Sequence, residues 1–219
     1  MGCRAVAAAA CVAVASLVAA PAPASPGAAA RACAHGYSYA GYAGRDGSAG
    51  VAATITALTR PSVATGHAAA WVGVGGVHAG AGGASEWLQA GLAAFPGIGL
   101  RLYVEAVSRG KSRRFLDLGP AVVGRRYRFR VRETGAGFWR ASVDGRPVGQ
   151  PAYLPTAYGG WRPTATAESW AAGSASCNRY AYRFDAVAAL RGKRWADLAN
   201  ADRIGAPARG DASRFSTTS

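Results

Sequence analysis

Carboxylates, one primary amide and a group of aromatic side chains recur at alternate positions in this chain, and that spacing decides which can act together. In residues 68–107, Trp71 and Gly73 alternate with Ala70, Val72 and Val74. Trp87, Gln89 and Gly91 then alternate with Leu88, Ala90 and Leu92, and Arg101, Tyr103 and Glu105 with Leu100, Leu102, Val104 and Ala106. A period of two sends successive side chains to opposite faces of a strand. One face of this segment is therefore aliphatic, a core face. The other carries Trp71, Trp87, Gln89, Tyr103 and Glu105. A merely solvated face would be richer in Thr, Lys and Ser than in tryptophan, so this face reads as a ligand groove. Later in the chain Thr164, Thr166, Glu168 and Trp170 share a face, with Ala165 and Ala167 on the other.

These residue types permit more than one chemistry. Glu105 and Glu168 could be the paired carboxylates of a glycosidase, whose stereochemical outcome depends on their separation. Trp71, Trp87, Tyr103 and Trp170 could instead stack on sugar faces while Gln89, Glu105 and Glu168 bond hydroxyls, which is binding without cleavage. No zinc spacing exists, and His67 and His78 flank a strand in glycine-rich stretches, where surface loop positions are expected. No metal and no cofactor are expected.

The elements that must position this groove are strands. The chain has 219 residues, 30 of them glycine, and 10 % aromatic residues, a balance that favours short strands and turns over helices. Residues 51–58 read as a first strand, 113–118 as a short one, and 178–190 as a long last one with Tyr180, Tyr182, Phe184 and Ala186 in register. Asp144-Gly145 joins Phe138 to Val143 with Arg146 to Val148 as a hairpin. Residues 126–132 place Tyr127, Phe129 and Val131 on one face and Arg126, Arg128, Arg130 and Arg132 on the other. Aromatic and basic residues on opposite faces are not the pattern of a sheet that binds nucleic acid. The functional reading of the stripe is a phosphate- or polyanion-binding surface; the expected one is a solvated outer face serving solubility, away from the groove. Turn signals every 8–12 residues without an amphipathic helix indicate an all-β protein, a two-sheet antiparallel β-sandwich of the jelly-roll type.

The amino-terminal residues stand apart. Arg4 followed by an apolar run from Ala5 to Ala20, then Ala22-Pro23-Ala24, has the form of a secretory signal peptide, with Ala28 to Ala30 as a second cleavage option. The expected division is a signal peptide at 1–24, a linker and irregular lead-in at 25–48, the sandwich at 49–190, and a charged, partly disordered tail at 191–219. Within that tail Trp195 to Ala201 could form a short helix. Signal removal would leave Cys33 and Cys177, an even pair that suggests one disulfide in a secreted protein. The formal net charge of +14 bears on solubility and acidic partners, not on fold.

Most of the domain, from about Gly50 to Val187, resembles the glutamic peptidases (eqolisins), whose fold is a sandwich akin to the concanavalin A-like lectins and glucanases. The resemblance rests on Trp71-Val72-Gly73-Val74, Leu88-Gln89-Ala90-Gly91, Tyr103-Val104-Glu105 and Ala167-Glu168 in the family's order. It implies that Gln89 and Glu168 form a catalytic dyad and that Trp71 lines the cleft; Trp87, Tyr103, Glu105 and Trp170, read from the alternation onto the groove face, are the expected substrate contacts. Glu168 would take a proton from water and later return it to the leaving amine. The Gln89 amide would donate to the developing oxyanion while accepting from that water. The chain departs from the family where Gly75 and Ala93 stand in place of acidic residues, and where Ser169 separates Glu168 from Trp170. The implied function is peptide hydrolysis by a secreted, extracellular and diverged member. The alternative is a non-catalytic lectin-like module. The expected partner is a polypeptide substrate or a glycan, with no specific nucleic acid, no membrane after signal cleavage, and a monomeric state.

Overall fold

The computed structural model describes residues 33–155, 161–174 and 177–219. The expected signal peptide and residues 25–32 of the expected linker and lead-in lie outside these residues. Two antiparallel sheets face each other across one core. The first runs in the order β13-β1-β10-β3-β4-β5-β6 and the second in the order β14-β15-β11-β2-β7-β8-β9, with β12 paired to β11. The strands of the first sheet are β1 (Cys33–Gly44), β3 (His67–Gly76), β4 (Glu86–Phe95), β5 (Gly99–Val107), β6 (Arg114–Pro120), β10 (Pro163–Ser174) and β13 (Ala201–Gly205). Those of the second are β2 (Gly50–Ala57), β7 (Arg126–Gly135), β8 (Phe138–Val143), β9 (Arg146–Tyr153), β11 (Ala181–Arg191), β12 (Arg194–Asp197), β14 (Arg209–Asp211) and β15 (Arg214–Thr218). The fold is the expected β-sandwich.

Alternation accounts for the core. Ala70, Val72 and Val74 of β3 and Leu88, Ala90 and Leu92 of β4 meet Val51, Ala53 and Ile55 of β2 and Tyr127, Phe129 and Val131 of β7, all buried. Trp139 of β8 is wholly enclosed among them. Packing two apolar faces in this way leaves the second face of each sheet outward. The groove face of the first sheet and the arginine face of β7 thus lie on different sheets. The β8–β9 hairpin turns at Asp144 and Gly145 with φ values of 49° and 82°, the doubly positive turn that matches strand twist.

Three expectations need correction. The lead-in is not irregular: β1 is an internal strand between β10 and β13. Its sequence, Tyr37-Ser38-Tyr39-Ala40-Gly41-Tyr42, has aromatic residues on both faces, which hides the period. Tyr42 enters the core while Tyr39 stands on the groove face beside Glu168. The tail is not disordered and holds no helix at 195–201, for β12, β13, β14 and β15 all belong to the sheets. Phe215 anchors it, stacked on Phe184 at 4.4 Å and edge-on to Tyr42 at 5.1 Å. An aspartate turn starts β15: Asp211 Oδ1 accepts from the backbone N–H groups of Ser213 and Arg214. A charged, serine-rich composition concealed one aromatic anchor. Last, Ala186 does not continue the Tyr180–Phe184 register. It sits exposed at φ 49° in a bulge, after which Val187 returns to the core.

Candidate functional site

Position on the first sheet decides which polar groups meet. Glu168 of β10 lies opposite Tyr39 of β1 on one side and Ala69 of β3 on the other. Gln89 of β4 lies opposite Gly73 of β3 and Glu105 of β5. Directly opposite residues share a face, so all of these look into one groove. Trp71 stands between Ala69 and Gly73 on the intervening strand, midway between the positions facing Glu168 and Gln89. The small residues Ala69, Gly73, Gly91 and Ala93 form the floor, which leaves room for a bound chain.

Both oxygens of Glu168 are engaged. Trp71 Nε1 donates to Oε2 at 3.1 Å, and His67 Nε2 meets Oε1 at 2.8 Å. Each carboxylate oxygen has a further lone pair, so neither contact prevents the group from accepting a water proton. His67 is not a loop histidine. It opens β3 on the groove face, hydrogen-bonds Glu168, and lies under Trp170 with ring planes 24° apart. Sequence reasoning missed it because glycine-rich flanks suggested a loop, although its even spacing from Ala69 and Trp71 placed it on their face. His78, by contrast, does lie in the loop after β3, with φ 57°.

Gln89 Nε2 donates to the hydroxyl of Tyr103 at 3.2 Å, and among the described residues its amide makes no other hydrogen bond. The remaining N–H and the amide oxygen can therefore serve a ligand. Burial, followed by the carboxylates of Glu168 and Glu105, pushes the Tyr103 hydroxyl far above its ordinary range. It remains a neutral phenol that can accept from Gln89. Tyr39 is pushed up in the same way, by burial first and then by Glu168.

Glu105 accepts from Trp87 Nε1 at 3.0 Å. Burial raises its pKa and the nearby Glu168 charge adds to this, while Arg113 and the Trp87 bond oppose it. The linkage has a definite sign. From the ordinary glutamate value near ~4.3 up to its raised native value, folded Glu105 holds more proton than unfolded Glu105, so this group costs stability as pH rises through that window. Glu105→Gln should remove that loss. Urea unfolding at pH 4 and pH 7 should show wild type losing stability relative to the variant between the two; parallel curves would contradict the assignment.

Two cavities adjoin in the groove. The first, of about 350 Å³, is lined by Ala69, Ala93, Phe95, Ile98, Tyr103 and Phe115 together with Gln89, Glu105, Arg113 and Glu168. The second, of about 450 Å³, shares those last four and adds Tyr37, Tyr39, Trp71, Trp87, Val77 and Ile204. Of the expected site residues, Gln89, Glu168, Glu105, Trp71, Trp87 and Tyr103 border this space. Trp170 does not, and packs on His67 and Tyr37 at the groove's end. Tyr39, Phe95, Phe115 and Arg113 were missed by sequence reasoning: Tyr39 reaches the groove only through the long-range pairing of β1 with β10, whereas Phe95 continues the alternation of Gln89, Gly91 and Ala93 and Phe115 lies opposite Glu105 in the next strand, so both carried a local signal.

The departures at Gly75 and Ala93 fall in different cavities, the second and the first. Gly75 has φ 83°, and a Cβ there would run into the carbonyl of Glu86, so an acidic side chain is excluded by the backbone itself. Ser169 turns away from the groove and accepts from Asn178 Nδ2 at 3.1 Å. Buried Asn178 also donates to the carbonyls of His67 and Trp170 and accepts from the N–H of Ala64, clamping the ends of β3 and β10. Asn178→Ala would strand those groups and should cost ~1–3 kcal/mol in urea unfolding. An unchanged midpoint would show that the clamp does not contribute.

No family model matches the sequence, and a search of curated proteins finds no match. Solved structures do match. Scytalido-glutamic peptidase with a peptide-based transition-state analogue aligns over 84 % of this chain and 98 % of its own, with a TM-score of 0.59 and 13 % identity. SCP-B, a member of the eqolisin family of peptidases in complex with the tripeptide Ala-Ile-His, aligns over the same shares with a TM-score of 0.52 and 13 % identity. The chain has the β-sandwich fold of the glutamic peptidases. At this identity it stands as a diverged example of that fold.

Proposed function

We propose that the protein is a secreted hydrolase of the glutamic peptidase type, cleaving a polypeptide held across the groove. The observation that carries this reading is that Glu168 and Gln89, from β10 and β4, border the same two cavities, with Trp71 between them donating to Glu168. Glu168 is the base that takes the proton from water and delivers it to the departing amine. The free N–H of Gln89 stabilises the oxyanion of the tetrahedral intermediate. Trp71, Trp87 and Tyr39 border the second cavity and would exclude water from the reacting carbonyl. The fold likeness to peptidases solved with a peptide-based analogue and a tripeptide supports a polypeptide ligand.

The same reading includes export, a monomeric state and a Cys33–Cys177 disulfide. The Cys33 side chain lies outside the described residues. Support for the bridge comes from Cys177, which is disulfide-bonded, and from the β1 register, which sets Cys33 opposite Ser174. Digestion of denatured protein substrates from acidic to neutral pH tests the function. Fragment release is the expected result. Absence of cleavage at every pH, with a peptide or glycan still bound in the groove, would leave the lectin-like binding module as the function.

A further inference from the structure

The outer face of the second sheet presents an arrangement that solubility alone does not require. Arg126, Arg128, Arg130 and Arg132 of β7 point outward in a line, and Arg140 of β8 lies directly opposite Arg132. Like charges directly opposite on a sheet repel. One buried acid, Asp185, answers part of this charge by pairing with Arg126, Arg183 and Arg214. Among the described residues Arg128, Arg130, Arg132 and Arg140 have no carboxylate partner. Arg128 and Arg130 are half-buried, where a charge needed only for solubility would extend into water. The strand they lie beside, β2, offers a low floor of Ala52, Thr54 and Thr56 opposite Arg130, Arg128 and Arg126. Three donors on this face, Arg128 Nε, Arg130 Nε and Thr56 Oγ1, are buried without a hydrogen-bond partner among the described residues. Burial and the neighbouring Arg130 charge both press against the charged state of Arg128.

We infer that this face is a docking surface for an acidic polysaccharide, whose carboxylate or sulfate groups bridge Arg128, Arg130, Arg132 and Arg140. Guanidinium forks match such anions through paired hydrogen bonds. Alternate residues on β7 stand ~6.8 Å apart, a ladder that suits a linear polymer bearing repeated charges. The hydroxyl of Ser142, beside Arg130, faces the same side and suits a sugar hydroxyl. Nucleic acid fits less well. The ring beside these arginines, Trp195, is already covered by Arg130 at 5.7 Å, so it offers no platform for a base. A broad sheet face also does not enter a duplex groove. This surface is independent of the chemistry proposed for the groove.

Heparin-derived oligosaccharide, carrying both carboxylate and sulfate, is the probe, and calorimetric titration of the full chain is the measurement. The Arg128→Gln, Arg130→Gln, Arg132→Gln, Arg140→Gln variant should bind ~30-fold more weakly, as four partly exposed charge contacts imply. A charge-matched control with Arg60, Lys111, Arg114 and Arg179 changed to Gln should lose less than ~3-fold, since screened distant charges contribute little. Equal losses in the two variants would reduce the effect to net charge and overturn the site. Duplex DNA bound as tightly through the same four arginines would overturn the polysaccharide assignment. Because the half-buried pair could affect folding, Arg132→Glu with Arg140→Glu is the second variant. Unchanged affinity in that folded protein would also overturn the proposal.

Discussion

Glu168→Gln should abolish peptide hydrolysis, lowering turnover by at least ~10³, near the upper part of the range for loss of a general acid–base group. The substitution keeps the volume and removes the base. Its hydrogen bonds can survive in altered form. The amide oxygen of glutamine would accept from Trp71 Nε1, and its NH₂ would donate to a neutral His67 through Nε2, where the carboxylate now meets both groups. The fold should therefore persist, with the thermal midpoint close to wild type and peptide binding retained. Turnover assays beside calorimetric peptide titration separate these effects. An enzyme indifferent to the change would remove Glu168 from the mechanism. Loss of binding together with turnover would assign it to holding substrate instead.

Gln89→Ala should lower turnover by ~10²–10³ while changing peptide affinity little, the usual consequence of losing one oxyanion donor. The donor in question is the amide N–H left over after Nε2 has donated to Tyr103. Its contribution grows as the carbonyl oxygen acquires charge, so the loss belongs in kcat and not in KM. The phenol of Tyr103 is buried against Phe115, with ring centroids 5.2 Å apart, and stays in place when the glutamine is shortened. Single-turnover kinetics on the variant provide the check. A rise in KM at constant kcat would mean that Gln89 grips the substrate equally before and during reaction.

Much of this protein was legible without its coordinates, for a definite reason. Strand alternation is a local property, so the apolar Ala70, Val72 and Val74 and the polar-aromatic Trp71, Gln89, Tyr103 and Glu105 sorted themselves onto two faces from sequence alone. The β8–β9 hairpin was equally local, since Asp144-Gly145 suits the positive φ values of that turn. The strands of 68–107 pair in chain order, which is why the centre of the groove could be assembled in advance.

What only tertiary structure decided lies where pairing skips along the chain. β10 inserts between β1 and β3, and that one long-range choice brings Tyr39, His67 and Trp71 around Glu168. No local pattern specifies it, because the register of distant strands is set by the burial of both faces together. The tail was misjudged on composition for the same reason: Phe215 packs on Phe184 and Tyr42, from β11 and β1, and β15 pairs with β11, none of them local partners. The arginine stripe was visible in residues 126–132, but the sequence did not show that Arg140 lies opposite Arg132 or that a single buried aspartate serves three arginines. Charge is written in the chain, whereas the neighbours that answer it, or fail to, are assigned by the sheet.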